Sequence, residues 1–212
     1  MLTPSLPDDL REDMLEDAVA RAINEGMDVG ACHFYGETLP DISGETLEFS
    51  GCRFDKCVFH AAGAERLVFV DCVFEKCDLS GMAFPKSTFQ RVCFKNCRMT
   101  GTQFSETPLM NVAFLNCQMD MASFADLKAQ HILFEGCAMK ECGFFRFRWL
   151  DWVIRSCVLR GAEIRETALN GLDVTQCDIG GILVDPVSLK GLKVTQAQAL
   201  QLSALLGLHI VQ

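Results

Sequence analysis

From Phe34 to Val194 every fifth residue is apolar apart from Gly44, over 33 consecutive sites. In a chain half hydrophobic by composition, chance would fill only about half of them. The residue two places before each centre is nearly always small or apolar too, so inward steps alternate between two (Cys52 to Phe54) and three (Phe54 to Cys57). Five residues advance an α-helix by about 500°, which would spread the centres round its surface. In a straight strand an odd repeat would throw successive centres onto opposite faces. Two inward residues on a short extended segment, followed by a corner, satisfy both steps. Ten of the sixteen glycines, Gly36, Gly81 and Gly181 among them, fall at the second place after a centre. A tight turn there calls for φ > 0 or leaves no room for Cβ.

A longer period lies over the first. Cys57, Cys77, Cys97, Cys117, Cys137, Cys157 and Cys177 recur every twenty residues, as do Phe34, Phe54, Phe74, Phe94, Phe114 and Phe134. Four pentads therefore make one coil, and about eight coils at strand spacing make a rod roughly 40 Å long.

The segments CRFDKCVF (52–59), CVFEKCDLSGMAF (72–84) and CDIGG (177–181) carry a family resemblance. Residues 32–194 resemble the pentapeptide-repeat family, whose loose consensus is A(D/N)LXX with Cys often in place of Ala. The resemblance implies an all-β solenoid, a right-handed quadrilateral β-helix. Residues 189–210, LKGLKVTQAQALQLSALLGLHI, are similar to the tail of the Qnr and MfpA branch. In that branch the C-terminal end forms a homodimer contact and the rod, as a DNA mimic, binds DNA gyrase or topoisomerase IV, with fluoroquinolone resistance as a consequence.

An open-ended solenoid needs covers for its core. Residues 7–26 predict an amphipathic helix: Pro7, Asp8 and Asp9 suit its first turn, Leu10, Met14, Leu15, Ala18, Val19, Ala22 and Ile23 form its stripe, and Gly26 stops it. At the other end Thr195 and Gln198 predict a capping box opening a helix with Ala199, Leu200, Leu202, Leu205 and Leu206, which ends at Gly207. Three parts follow: an acidic capping helix in 1–30, the β-helix in 31–194, and a C-terminal helix and tail in 195–212. Leu200, Leu202, Leu205 and Leu206 are candidates for contact with a second copy, a self-complementary apolar patch being suited to a two-fold dimer.

Charge alters the functional picture. The net charge is −9, yet residues 1–50 hold 12 acidic against 2 basic residues and residues 51–212 hold 16 against 17. A regular line of acids at phosphate-like spacing, which a DNA mimic needs, is absent from the shaft. Asp8, Asp9, Glu12, Asp13, Glu16 and Asp17 read as a soluble cap or as a negative knob for a basic partner. In FFRFRWLDWVIR (144–155) the phase turns Phe144, Phe147, Trp149 and Trp152 inward. It turns Phe145 and Leu150 outward beside Arg146, Arg148 and Arg155, as a packing irregularity or as a partner patch.

No catalytic constellation emerges. His33, His60, His131 and His209 lie in different columns or in the tail, and no phosphate-binding glycine loop is present. Eleven of the twelve cysteines occupy inward slots, only Cys93 does not, and their spacing of five or twenty does not suit zinc. With neither an 18-residue apolar run nor a signal segment, the expected location is the cytoplasm with reduced thiols. The expectation is a non-enzymatic rod without metal or cofactor, binding a protein and neither nucleic acid directly nor membrane. Its partner is a type II topoisomerase or, alternatively, an unrelated protein for which it serves as scaffold or interaction module.

Overall fold

The computed structural model describes residues 1–60 and 64–208. Its strands stack in parallel with a register of twenty residues: Phe54 pairs with Phe74, Phe74 with Phe94, Phe94 with Phe114, and Phe114 with Phe134. One ten-stranded sheet covers two adjoining sides of the coil, because strands such as Arg66–Glu75 and Arg148–Arg155 bend through a corner within their length. A third side is a five-stranded sheet from Gln103–Ser105 to Leu183–Val184. The remaining side is a ladder of single bridges, Thr38 to Val58, Asp78, Arg98, Gln118, Ala138, Val158 and Asp178. Four short sides closed by four corners are the structure that the alternating steps of two and three require.

The centres fill the interior. Phe74, Phe94, Phe114 and Phe134 stack with ring centroids 4.7, 5.0 and 4.8 Å apart. A second column, Phe84, Phe104, Phe124 and Phe144, meets the first edge-on, as at Phe104 and Phe114. Offset stacking along a column with edge-to-face contact between columns suits the ring quadrupole. The slot two places earlier has a requirement beyond smallness. Cys57 Sγ donates to Phe34 O (3.4 Å), Cys77 Sγ to Phe54 O (3.3 Å) and Cys137 Sγ to Phe114 O (3.3 Å). Thr102 and Thr167 use their hydroxyls in the same way, on Leu79 O and Phe144 O. The slot thus selects a compact residue with a donor for a carbonyl of the preceding coil.

All ten corner glycines have positive φ, from 60 to 89°. So do eighteen non-glycine residues at equivalent corners, among them Lys56, Asn116, Met121 and Arg146. Between Leu79 and Met82 the corner is a hydrogen-bonded β-turn with Gly81 at its third position, where φ > 0 defines type II.

The ends differ in detail from expectation. The N-terminal helix, α1, spans Leu15–Glu25 rather than beginning at Pro7, and Gly26 in the left-handed conformation ends it. Arg11–Glu12 forms a strand, β1, that pairs with Cys32 and His33 as an extra rung. Helix α1 buries Leu15, Ala18, Val19 and Ala22 on the first coil, whereas Met14 and Ile23 are exposed. Its start is fixed from a distance: Met14 supplies no side-chain cap, and the carboxylate of Glu37 accepts from Leu15 N at 2.5 Å. Residues before β1 run along the outside of the shaft. Ser5 N donates to Asp71 Oδ1 at 3.0 Å, Leu2 N to Asn111 Oδ1 at 2.8 Å, and Leu6 joins Leu115 and Leu133 in packing against the small cluster of Val73, Cys93 and Ala113.

At the C-terminal end α2 spans Gln196–Ser203 and opens with the Thr195–Gln198 capping box. A single 3-10 turn, Ala204–Leu206, follows and closes at Gly207. Gln198 is buried and also donates its amide to Val174 O (2.8 Å) and Cys177 O (2.9 Å), carbonyls that no further coil covers. The lid therefore satisfies polar groups as well as covering carbon.

Candidate interaction surfaces

Because side chains fill the interior, chemistry is confined to the outer faces and the ends. A pocket inside the last coils, walled by Phe144, Trp152, Leu172 and Leu202 among other apolar residues, holds about 10 Å³, at the lower limit for one water. Trp152 Nε1 is buried without a hydrogen-bond partner. Among the described residues no three or more His, Cys, Asp or Glu side chains gather as metal ligands. Burial raises the thiols of Cys72, Cys93, Cys142 and Cys177, that of Cys142 to about 12 and that of Cys177 to about 11, so they are poor nucleophiles.

The outer faces carry ion pairs that step from coil to coil. Arg91 grips Asp71 with two hydrogen bonds (2.7 and 2.6 Å), Arg146 grips Asp126 likewise (2.5 and 2.7 Å), and Arg160 meets Asp178 at 2.6 Å. The hydrogen bonds from these arginines hold the three carboxyls below the ordinary carboxylate range. These pairs join neighbouring coils.

At the acidic end Asp8 and Asp9 are exposed, Glu12 lies on β1, and Glu16 and Asp17 occupy the first turn of α1 with their side chains in water. Asp13 differs, being held by Arg21 and approached by Arg11 at 3.6 Å. Glu12, Asp13, Met14, His33, Tyr35 and Glu37 border an open groove of about 620 Å³.

The arginine-ringed segment is not one patch. Phe145 lies on the five-stranded sheet, Arg148 and Leu150 on the next side, and Arg155 on the side after that. Phe145 is half-buried with its ring folded over Gly143, where an added Cβ would stand 2.2 Å from Cε2. Arg146 is occupied by Asp126 and reaches Glu166 at 3.7 Å. Leu150 remains 60% exposed beside exposed Arg148. Trp152 fills the core as expected, but Trp149 does not enter fully: it is half-buried with Nε1 donating to Ala168 O at 2.6 Å. The indole N–H needs an acceptor, and a carbonyl at the coil edge supplies it.

Of the four C-terminal leucines, Leu200 and Leu206 are exposed, Leu205 is partly buried on the core, and Leu202 is buried against the last coil. Leu202 is consequently unavailable to a second copy, its side chain being spent on the lid. Val187 (86% exposed) and Leu208 (58%) add to the apolar surface of this end. Among the described residues no helix is long and apolar enough to cross a membrane.

Residues 67–144 match a family model described as a pentapeptide repeat region. No curated protein matches the sequence. Similar solved structures include full-length QnrB1, a plasmid-mediated fluoroquinolone resistance protein, at 20% identity over 84% of this chain and 99% of that one, TM-score 0.37. A trypsin-treated QnrB1 variant gives 21% identity over 86% and 99%, also at 0.37. HetL, a pentapeptide repeat protein involved in heterocyst differentiation regulation from the cyanobacterium Nostoc, gives 10% identity over 82% and 92%, again at 0.37. At these scores the likenesses carry no argument, whereas the family match and the stacked coils do. The pentad slots of the matched pentapeptide repeat region continue on both sides of it in the same twenty-residue register, so the parallel β-solenoid extends beyond the match in both directions.

Proposed function

We propose that this protein is a non-catalytic, dimeric rod that acts by binding another protein through its outer faces, with a bacterial type II topoisomerase as the candidate partner. The observation that carries the binding role is the filled interior: stacked phenylalanines leave no cavity in which catalytic groups converge, so recognition falls to the exterior. The partner's identity leans on the resemblance of the repeat and of residues 189–210 to the Qnr and MfpA branch. The exposed Leu200 and Leu206 support pairing of two C-terminal ends.

The charge distribution argues against recognition by DNA mimicry along the shaft. Six of its sixteen acids, Asp71, Glu75, Asp78, Asp126, Glu166 and Asp178, are paired with arginines of adjacent coils, and basic residues interrupt the rest, so no unbroken line of negative charge is presented. Contact by the acidic N-terminal end, where Glu16 and Asp17 are free in water, suits a basic partner surface better. The deciding experiment titrates the protein into a DNA gyrase supercoiling reaction, with and without a fluoroquinolone. Inhibition, or restored supercoiling in the drug's presence, supports the topoisomerase reading; no effect at any protein-to-enzyme ratio removes it and leaves a scaffold for an unrelated protein.

A further inference from the structure

One outward column departs from the polar exterior. Val73, Cys93, Ala113, Leu133 and Val153 stand in register on one side of the rod, forming an apolar stripe on the outside of five successive coils. Val73, Cys93 and Ala113 are only 5 to 7% exposed, forming a small cluster against which Leu6 of the N-terminal segment packs together with Leu115 and Leu133. The corner column beside the stripe holds the backbone of that segment. Asp71 accepts from Ser5 N, Asn111 accepts from Leu2 N, and Pro7 rests against the corner at Gly51, where an added Cβ would be 3.1 Å from its ring.

Residues 2–7 are thus bound as an extended peptide ligand is bound: acceptors spaced along a corner take main-chain amides, and an apolar stripe takes an aliphatic side chain. The hold is slight, consisting of two hydrogen bonds and one aliphatic contact ahead of β1. Both columns run two coils beyond Asn111, as His131 and Asp151 at the corner and half-buried Leu133 and Val153 in the stripe.

We propose that this face is a docking groove for an extended peptide segment of a partner protein, bearing an aliphatic side chain at the place of Leu6, and that the N-terminal segment is its intramolecular competitor. The seated segment states the chemistry the groove accepts. The two further coils give a longer partner peptide anchors at Leu133 and Val153 that the protein's own segment does not reach. A short tether gives that segment an effective concentration of about millimolar, which the added anchors must overcome. The groove is independent of the topoisomerase reading.

Cys93 reports its state, since it alone of the twelve cysteines faces outward, in the cluster against which Leu6 packs. In the full-length protein, labelling of Cys93 by a disulfide reagent, blanked with Cys93→Ser, is expected to be slow. Leu6→Asp should speed it at least tenfold, and a synthetic peptide of residues 1–10 at about millimolar concentration should slow it again. The same peptide carrying Leu6→Asp should not. Unchanged labelling in the variant overturns the competitor role; no protection by the peptide, or equal protection by both peptides, overturns the groove.

Discussion

Met121 shows what the coil asks of single residues. Its φ is 60°, it is exposed, and it stands at the third position of a turn closed by Ala122 N to Met119 O at 3.0 Å. The equivalent positions one and two coils earlier are Gly101 and Gly81. A left-handed backbone costs an ordinary side chain about 1–2 kcal/mol, offset by about 0.5–1 kcal/mol of extra entropy lost when glycine folds. Met121→Gly should therefore raise stability by about 0.5 kcal/mol, read from the urea midpoint at constant m-value; a lower midpoint contradicts the strain argument. In the core, Phe114 is fully buried between Phe94 and Phe134. Phe114→Ala should cost about 3–5 kcal/mol, and Phe114→Asp, which buries an unpaired carboxylate, should prevent folding. Near-wild-type melting of either variant would reject the inward assignment. Both roles were legible in the sequence, because the five-residue phase names every inward slot. The donor bonds of Cys57, Cys77, Cys97, Cys117 and Cys137 were not, since each joins residues 23 apart across a stacking contact that no local pattern encodes.

At each end one side chain ties the terminal element to the coils by hydrogen bonds, Glu37 at α1 and Gln198 at α2. Gln198 completes the capping box of α2 and also closes two carbonyls of the last coil. Gln198→Leu keeps the volume and strands Cys177 O, while Val174 O keeps its bond from Cys177 N, at an expected cost of about 1–3 kcal/mol by thermal or urea unfolding. A loss below about 0.5 kcal/mol, the worth of an exposed cap, would mean that the lid bonds contribute nothing. The capping box could be read from Thr195 and Gln198 because its partners are three residues apart. The start of α1 could not, because its cap is Glu37, 22 residues away, and Asp8 and Asp9 imitate a first turn. Likewise the phase turned Phe145 outward but could not show it folded over Gly143, and it gathered Arg146, Arg148 and Arg155 into a patch that the corners at Arg146 and Asp151 divide.

Over the whole molecule, stacking of one coil on the next lets arginine–carboxylate pairs stabilise the rod between coils. Asp71, Asp126 and Asp178 have lowered folded-state pKa values because of Arg91, Arg146 and Arg160. A carboxyl depressed on folding contributes stability that is present above its unfolded value, about 4, and is lost as pH falls through its folded value. The melting temperature should accordingly be level between about pH 5 and 7 and fall below about pH 4, with a shallower fall in Asp71→Asn; an equal slope in that variant would deny the pair a role. The two ends place different demands on the assembly. At the N-terminal end α1 presents Glu16 and Asp17 to water, so two such ends repel. At the C-terminal end Leu200 and Leu206 remain about half exposed while Leu202 is consumed by the lid. Pairing of two chains is thus favoured at one end only, and a contact that uses the same patch on both partners closes at two. In sedimentation equilibrium at about 20 μM the protein should show twice the 23.5 kDa of the chain, and Leu200→Glu with Leu206→Glu should return it to the chain mass with its coil circular dichroism intact, because neither side chain supports the core. A wild-type protein that sediments as a single chain would remove the dimer, and a double variant that stays paired would move its contact away from this end.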